Sequence, residues 1–539
     1  MGFYRGDNLR EVSAMTPDLS SKEPARSGSL GATISRNIVA SLARVAAVGL
    51  VALVLPAYLT HHLPVVTYSA WVLILQLGAY VSYLDLGIQT GVSKFVAEYE
   101  ARGDLVGAGR YASAGLILMI LAGMLGVLLT FALAWQVPRI FSAMPANLYH
   151  DVRISVLLVG CSLSFSLVCA VYSAVFLGLQ RFAIPMTISI VNRASFAGIV
   201  ILVVVFHGDL SAMGVAAAFV NVVTGLLQVV IWRRVASHIH VSVRAIDFRI
   251  LRAMARYCSS VSIWIVGMLC VTGLDVTIVG HYDYLQTAYY SIATLPTSFM
   301  LLIISSMVNP LMPASSAIST QRSNLEMGDF LAKITRYSTS VLFLTGLPLI
   351  VCSFLILRLW VGPQYAFHTV TYLRILVFAN IIRNLCAPYA TMICATGRQG
   401  SATASVISEA IVNLGSSVYL ASRFGAIGVA LGTALGSFVS VALHFALTMH
   451  FTHEALSISR ARLLFQGLLR PAMIGIPSLI LLPFWWSPSR LNLGPPFLTI
   501  WGISTLLFAW FSGLNNEERQ GLLCTLRCRI MSRSGFGKM

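Results

Sequence analysis

The sequence predicts an all-α polytopic membrane protein with about fourteen transmembrane helices in two homologous lobes. Hydrophobic residues make up 57% of the chain and charged residues only 10%, whereas a soluble domain carries about 25% charged residues. Apolar stretches of roughly 20 residues, long enough to cross the hydrocarbon core of a bilayer, recur along the chain. The residue alternation of a β-barrel is absent, so the spans are predicted to be helices, which satisfy their own backbone hydrogen bonds in lipid.

Sequence echoes indicate that the second half of the chain is a duplicate of the first. Five short segments return in the same order with an offset of about 220 residues. Duplicated membrane bundles are the usual build of secondary transporters, with the substrate site between the repeats, so the duplication favours transport over catalysis. The paired segments are Thr67-Tyr68-Ser69 with Ala288-Tyr289-Tyr290, Gly103-Asp104 with Gly328-Asp329, Arg110-Tyr111 with Arg336-Tyr337, Gly178-Leu179-Gln180-Arg181 with Gly397-Arg398-Gln399, and Met213-Gly214-Val215-Ala216-Ala217 with Ile427-Gly428-Val429-Ala430-Leu431.

Hydropathy divides the chain into regions as well as spans. Residues 1–35 are polar, lack the apolar core of a signal peptide, and are predicted to form a disordered cytoplasmic leader. The other predicted regions are an N-lobe at 36–232, a basic cytoplasmic linker at 233–256, a C-lobe at 257–450, the last two spans with their preceding loop at 451–515, and a cytoplasmic tail at 516–539. The predicted spans are 37–59, 65–87, 111–135, 153–178, 183–206, 212–232, 257–280, 287–312, 336–357, 367–394, 401–421, 426–450, 467–485 and 495–514.

Lysine and arginine are distributed unevenly over the predicted loops. Of the 36, five lie in one set of alternate loops and four inside spans, which leaves 27 in the set that contains both termini. The positive-inside rule therefore predicts that both termini face the cytoplasm. This topology accounts for the net charge of +17, and no nucleic-acid partner is predicted.

A basic cluster in the linker is predicted to bind anionic lipid head groups, and contact with a partner enzyme or an acidic substrate is the alternative. Its members are Arg233, Arg234, Arg244, Arg249, Arg252 and Arg256. The segment 90–109 carries apolar residues along one helical face and is predicted to lie on the inner membrane surface.

Motifs for catalysis and nucleotide hydrolysis are missing from the sequence. The predicted external loops are short, the longest being near 136–152, and leave no room for a catalytic domain. No Gly-x-x-x-x-Gly-Lys-Ser/Thr loop occurs. His450-Phe451-Thr452-His453-Glu454 does not have the His-Glu-x-x-His order of a zinc site. The chain is therefore not expected to be an enzyme, and neither a cofactor nor a metal is predicted.

Four basic residues lie inside predicted spans, and all are arginine: Arg44, Arg193, Arg374 and Arg383. Ionisable groups in a bilayer are costly and therefore mark functional sites. Arginine keeps its charge in a low dielectric and binds phosphate oxygens with its planar fork. We predict that these residues line a cationic substrate cavity, with Arg44 as the foremost candidate. Snorkelling to the membrane surface or a buried ion pair is the alternative for each.

Three acids lie in or at the ends of predicted spans. Asp85 ends the second span and is predicted to cap the following amphipathic segment or to pair with an arginine, and a role in ion coupling or gating is the alternative. Asp275 in the seventh span and Glu409 in the eleventh are candidates for binding H⁺ or Na⁺ in an ion-coupled cycle. A structural salt bridge is the alternative for both.

An ordered set of short motifs resembles the polysaccharide flippases, the transporters of O-antigen, exopolysaccharide or capsule repeat units. These belong to the multidrug/oligosaccharidyl-lipid/polysaccharide exporter superfamily, which implies a MATE-like fold. One departure is Ser69, where the family often has glycine in a Tyr-Gly-x-Trp sequence. The matching residues are Asn37, Tyr68-Ser69-Ala70-Trp71, Leu84-Asp85-Leu86-Gly87-Ile88, Lys94-Phe95-Val96-Ala97, Gly178-Leu179-Gln180-Arg181 and Gly214-Val215-Ala216.

The resemblance implies a substrate and a mechanism. The substrate is an oligosaccharide repeat unit on undecaprenyl pyrophosphate, flipped across a bacterial inner membrane by alternating access around a cationic cavity and driven by an ion gradient. A polysaccharide polymerase and a chain-length regulator are the implied partners. Three alternatives stay open: a cation-coupled multidrug or metabolite exporter of the same superfamily, a membrane glycan polymerase or ligase, and a non-transporting scaffold. An exporter of cations should favour buried acids, whereas this chain has four intramembrane arginines against three acids. The short external loops argue against the polymerase.

Overall fold

The computed structural model of the chain describes residues 49, 53–242, 248–308, 324–395, 400–456, 458–479, 495–521 and 523–524. Regular secondary structure in these residues is entirely helical, and twelve of their helices are long and apolar enough to cross a membrane. The prediction of an all-α polytopic membrane protein is therefore confirmed. The helices are α1 (53–62), α2 (Val65–Tyr83), α3 (Ile88–Ala101), α4 (Leu105–Ile140), α5 (Tyr149–Gly178), α6 (Ala183–Val205), α7 (Leu210–Val235), α8 (Phe248–Met268), α9 (Asp275–Tyr282), α10 (Gln286–Val308), α11 (Asn324–Val351), α12 (Ser353–Val361), α13 (Pro363–Asn384), α14 (Ala387–Ala395), α15 (Gly400–Phe424), α16 (Ala426–Leu443), α17 (Met449–Leu456), α18 (a run of short helical segments over 460–479) and α19 (Pro495–Phe508).

Twelve predicted spans coincide with membrane-length helices in the described part of the chain. The predicted span 37–59 falls mainly outside the described residues, and the span 467–485 is described only to residue 479. The leader predicted at 1–35 also lies outside the described residues. The domain boundaries drawn from the sequence stay predictions.

The amphipathic segment after the second span forms α3. A turn with Leu86 at φ 46° and Gly87 at φ +81° leads into it, and a Cβ at Gly87 would come within 2.6 Å of Val261 on α8. Val92 and Val96 of α3 are fully buried, while Lys94, on the opposite face, is exposed. The apolar face of α3 thus packs against the rest of the protein, on α4, α5 and α8. Its predicted position on the inner membrane surface stays a prediction.

The seventh span is broken, which hydropathy did not predict. α8 ends at Met268, the chain forms one π-helical turn over Leu269–Gly273, and α9 begins at Asp275. α8 packs against α3 and α4 of the first half and against α15 of the second, and α9 packs against α10, α15 and α16 of the second half and against α2 of the first. π-helical turns are rare and are frequently found at functional sites, and further ones lie at His444–Thr448, Leu463–Leu469 and Ala509–Gly513. This break positions the acidic side chain described next.

Candidate functional site

Asp275 lies in the first turn of α9 and is only 6% exposed. Its Oδ2 accepts hydrogen bonds from the Thr433 hydroxyl of α16 at 3.2 Å and from the Tyr290 hydroxyl of α10 at 3.3 Å. Its Oδ1 is buried and has no hydrogen-bond partner among the described residues. A carboxylate oxygen buried in this way is costly unless a positive charge or a proton compensates it.

Arg383 of α13 and Glu409 of α15 form a buried ion pair beside this carboxylate. Arg383 Nε donates to Glu409 Oε1 at 2.5 Å, and the two side chains are 12% and 9% exposed. Arg383 Nη1 donates to Asn380 Oδ1 at 3.4 Å, while its Nη2 is buried without a partner in the described part of the chain. Arg383 also acts on Asp275 through its charge. The ion pair that sequence reasoning left as the alternative for these two residues is therefore present.

A row of polar side chains extends the cluster along α15. Asn413, one turn after Glu409, is fully buried and donates from Nδ2 to the Val271 carbonyl of the π-helical turn at 3.1 Å. Ser417, one turn further, donates to Asn413 Oδ1 at 3.4 Å. Sequence reasoning missed Asn413 and Thr433, although polar residues at four-residue spacing in an otherwise apolar span mark a buried polar face.

The charges of this cluster do not balance. Within the described residues, Asp275 and Glu409 bring two negative charges, and Arg383 brings one positive charge. Buried charges in a membrane helix are normally paired. The arrangement therefore has room for one further positive charge, either a proton or a small cation, next to Asp275 Oδ1.

Arg193 of α6 lies in a separate place. Its side chain is exposed and makes neither a hydrogen bond nor an ion pair with the described residues. It lines a pocket of about 370 Å³ formed by helices of both halves. The other lining residues are Gly49, Leu53, Leu295, Ser298, Phe299, Leu301, Leu302 and Ser305.

The other described arginines of the predicted cavity do not lie in the pocket that Arg193 lines. Arg374 of α13 is 7% exposed, and its Nε donates to the Ser353 hydroxyl at 2.9 Å. Neither Arg374 nor Arg383 lines the Arg193 pocket, and Arg44 lies outside the described residues. The three described arginines thus occupy three different environments.

Asp85 lies in the turn between α2 and α3. Its Oδ1 accepts a hydrogen bond from the Gln89 backbone N–H at 3.0 Å, in the first turn of α3. The contact satisfies one backbone N–H at the start of α3, where Gly87 is the N-cap residue, and the predicted roles of Asp85 stay predictions.

A second charged cluster, not foreseen from the sequence, joins α11 to the segment that follows α19. Arg336 is 5% exposed, and its Nη2 donates to both carboxylate oxygens of Glu518 at 2.6 and 2.7 Å. Lys333 Nζ lies 3.6 Å from the same carboxylate, which also accepts from the Asn515 backbone N–H at 2.8 Å. Burial raises the pKa of Glu518, but the Asn515 N–H, the Tyr337 hydroxyl and the charges of Arg336 and Lys333 outweigh it and leave the pKa below its ordinary value.

The basic cluster of the predicted linker is exposed where it is described. Arg233 and Arg234 end α7, and Arg249, Arg252 and Arg256 lie on α8, all with exposed side chains. Arg244 lies outside the described residues.

Solved structures that resemble this one are membrane transporters and flippases. A multidrug resistance MATE family transporter of the MOP superfamily, in an inward-facing conformation, aligns with a TM-score of 0.60 at 15% identity, over 76% of this chain and 95% of its own. The lipid II flippase MurJ, in an inward closed conformation, aligns with a TM-score of 0.68 at 12% identity, over 87% of this chain and 98% of its own. A MOP superfamily transporter from Pyrococcus furiosus aligns with a TM-score of 0.53 at 16% identity, over 78% of this chain and 96% of its own.

These likenesses define the class of the fold. No family model and no curated protein sequence matches the chain. Its helices form the fold of a polytopic membrane transporter, with buried charge inside the bundle. More particularly, the fold is the one seen in the MATE family transporter and in the lipid II flippase MurJ. The MATE-like fold implied by the sequence resemblance is confirmed.

Proposed function

We propose that the protein is a flippase that moves an oligosaccharide carried on a polyprenyl pyrophosphate from the cytoplasmic to the outer leaflet of a bacterial inner membrane. The observation that carries this proposal is the exposed, unpaired guanidinium of Arg193 in a pocket within the membrane-spanning part of the fold. A guanidinium in that position binds phosphate oxygens in two-pronged geometry and remains charged. A solved structure of the same fold is named a lipid II flippase, which supports a lipid-linked substrate.

The position of the pocket suits alternating access. Arg193 and Leu53 come from α6 and α1 of the first half, whereas Ser298 and Phe299 come from α10 of the second half. A pocket built from both halves changes shape when the halves move, so the substrate phosphate passes from one membrane face to the other without losing its arginine. In this proposal the lipid tail stays in the bilayer. Arg44, which lies outside the described residues, stays a candidate from the sequence for binding the substrate.

The cluster around Asp275 is proposed to be the coupling site. Its excess negative charge binds a proton or Na⁺. None of its residues lines the Arg193 pocket, so the driving ion and the anionic substrate have separate sites. Arg383 and Glu409 hold the neighbouring helices and set the field at Asp275. Arg374, buried against Ser353, has a structural role.

The remaining parts of the proposal come from the sequence. Both termini face the cytoplasm, and the basic cluster on α7 and α8 binds the anionic inner leaflet. A polysaccharide polymerase and a chain-length regulator receive the flipped product. The protein itself carries out transport without covalent chemistry.

Complementation of a bacterium that lacks its polysaccharide flippase tests the proposal. Arg193→Ala, at matched membrane levels, is expected to lower surface glycan at least about tenfold, because a charge-assisted contact to phosphate is lost. Arg193→Lys keeps the charge without the fork and is expected to restore part of the signal. Arg423→Ala, an exposed arginine at the end of α15, is the matched control and is expected to act as wild type. Full activity of Arg193→Ala would remove the basis of the proposal.

A cation-coupled exporter is the second candidate, favoured by the buried carboxylate of Asp275. In that case the wild-type protein fails to restore surface glycan from several repeat-unit types. It instead raises the resistance of a sensitive strain to cationic drugs, and Asp275→Asn abolishes that resistance.

A further inference from the structure

A ladder of polar side chains on α2 faces the broken seventh span. Gln76, Tyr80 and Tyr83 are spaced four and three residues apart and therefore share one face of an otherwise apolar helix. Gln76 Nε2 donates to the Gly273 carbonyl at 2.6 Å, and the Tyr80 and Thr277 hydroxyls are hydrogen-bonded to each other. These two contacts cross from the first half of the chain to the second.

The carbonyls of the π-helical turn are shared between the two halves. Val271 O accepts from Asn413 of the second half at 3.1 Å, whereas Gly273 O accepts from Gln76 of the first half. Asp275 follows two residues after Gly273, and Thr277 two residues after Asp275. Gly273 and Thr277, which are hydrogen-bonded to α2, therefore lie on either side of Asp275 along the chain.

We propose that Gln76 and Tyr80 are positioning residues that transmit the charge state of Asp275 to the separation of the two halves. This inference rests on the proposed coupling site. Neutralising Asp275 alters its attraction to Arg383 and to the hydroxyls of Tyr290 and Thr433, and the start of α9 moves as these contacts relax. Gly273 and Thr277 belong to the same segment. Their hydrogen bonds to Gln76 and Tyr80 of α2 therefore weaken or form as the start of α9 moves. The polar ladder thus links a change in the charge of Asp275, in the second half, to the position of α2, in the first half.

Distances between spin labels on the two halves test this link. Ala146, between α4 and α5, and Ser422, near the end of α15, are exposed positions on opposite halves. Ala146 follows Ile140 by six residues, and the Ile140 carbonyl is contacted by His281 of α9 at 2.5 Å. Ser422 precedes Gly425 by three residues, and a Cβ at Gly425 would lie 3.1 Å from Asp283, the residue after α9. Attaching the labels through unnatural amino acids leaves the nine native cysteines in place.

The measurement is a double-mutant cycle with no substrate added. One arm is Asp275→Asn, which mimics the neutralised carboxylate. The other is Gln76→Leu with Tyr80→Phe, which removes both cross-half bonds while keeping side-chain volume. Asn221→Leu is the matched control, because its 3.1 Å bond to Ser162 stays within the first half.

The ladder variant is expected to raise the ratio of separated to closed populations at least about fivefold, since each lost bond contributes a modest free energy. Asp275→Asn is expected to shift the wild-type ratio about fivefold, but less than about twofold in the ladder variant. Additive shifts would overturn the inference. So would an absent Asp275→Asn shift, or a ladder variant that behaves as the Asn221→Leu control. Failure of glycan complementation with the cycle intact would instead refute the proposed substrate and leave the link in place.

Discussion

The same Arg-Tyr dipeptide has different surroundings in the two halves of the duplicated chain. Arg110, at the start of α4, is exposed, whereas Arg336, its echo in α11, is 5% exposed and bound to Glu518. The difference arises because α18 and the segment after α19 pack on α11 and have no counterpart in the first half. The additional helices at the end of the chain therefore bury Arg336, whereas its echo Arg110 stays exposed.

This contrast extends to the whole bundle. Within the described residues, the charged side chains that are buried, Asp275, Arg336, Arg374 and Glu409, all belong to the second half. The first half relies on neutral bonds such as Asn192 to Thr224 and Asn221 to Ser162. The two halves thus echo one another in sequence, but the buried charges of the described residues lie in the second half.

The largest expected effect comes from breaking the Arg383–Glu409 pair. Either Arg383→Leu or Glu409→Leu leaves its partner charged and buried, which costs about 3–5 kcal/mol, and the double replacement costs less than either alone. The neutral comparison in the first half, Asn221→Leu, costs about 1 kcal/mol. Thermal unfolding of the purified protein in detergent measures all four. Equal losses for the charged and neutral sites would contradict the contrast between the halves.

The tail cluster is expected to have the next largest effect. Arg336→Ala and Glu518→Gln each cost about 2 kcal/mol, because a charge-assisted bond to a buried arginine is lost. Arg110→Ala, the equivalent change in the first half, is expected to stay within about 0.5 kcal/mol.

The contribution of Glu518 depends on pH with a defined sign. Its pKa in the folded protein lies below the ordinary value of 4.5, so its stabilisation is complete above pH 4.5 and disappears as the pH falls through the lower folded value. The difference in unfolding temperature between wild type and Glu518→Gln should therefore be constant near neutrality and vanish in acid. A difference that grew as the pH fell would be inconsistent with this cluster.

A pair of repeated glycines provides an intermediate effect. A Cβ at Gly428 of α16 would lie 2.2 Å from the Leu420 carbonyl oxygen, whereas at its echo Gly214 the nearest atom is the Ser155 Oγ at 2.7 Å. Gly428→Ala must separate α15 from α16 and is expected to cost about 2 kcal/mol, and Gly214→Ala about half as much. Gly415→Ala, with open space around it, is the control and is expected to be neutral or stabilising. The unfolding temperatures should rank in that order.

The smallest expected effect is at Arg102. It pairs with Glu98 at 2.6 Å on the exposed face of α3, with side chains 61% and 40% exposed. Arg102→Ala is expected to change the free energy of unfolding by less than about 0.5 kcal/mol, as exposed ion pairs do. A loss as large as that of Arg336→Ala would mean that exposure does not explain the difference between the halves.

Hydropathy predicted the spans well because lipid imposes the same length and composition on each of them. It failed at the π-helical turn in the seventh span, since an average over many residues does not detect a single irregular turn. It also shortened α4, predicted at 111–135 but found at Leu105–Ile140. The helix begins directly after its Asp104 cap and includes Arg110 and Arg139, which lie outside the predicted span.

The candidate site was only partly predictable. Asp275 and Glu409 stood out because charge is rare in a span, but their partners come from distant segments and leave no local pattern. One error of grouping was avoidable in principle. Arg374 and Arg383 are nine residues apart on one helix, and at about 100° per residue they point to opposite faces. A single cavity therefore does not hold both.

The pairing of Arg336 with Glu518 also orders the assembly of the protein in time. The two residues are 182 positions apart. At about 5–20 residues per second of synthesis, α11 enters the membrane roughly 10 to 40 s before Glu518 leaves the ribosome. During that interval Arg336 has no Glu518 carboxylate to bind, so the second half reaches its final packing only when the end of the chain arrives.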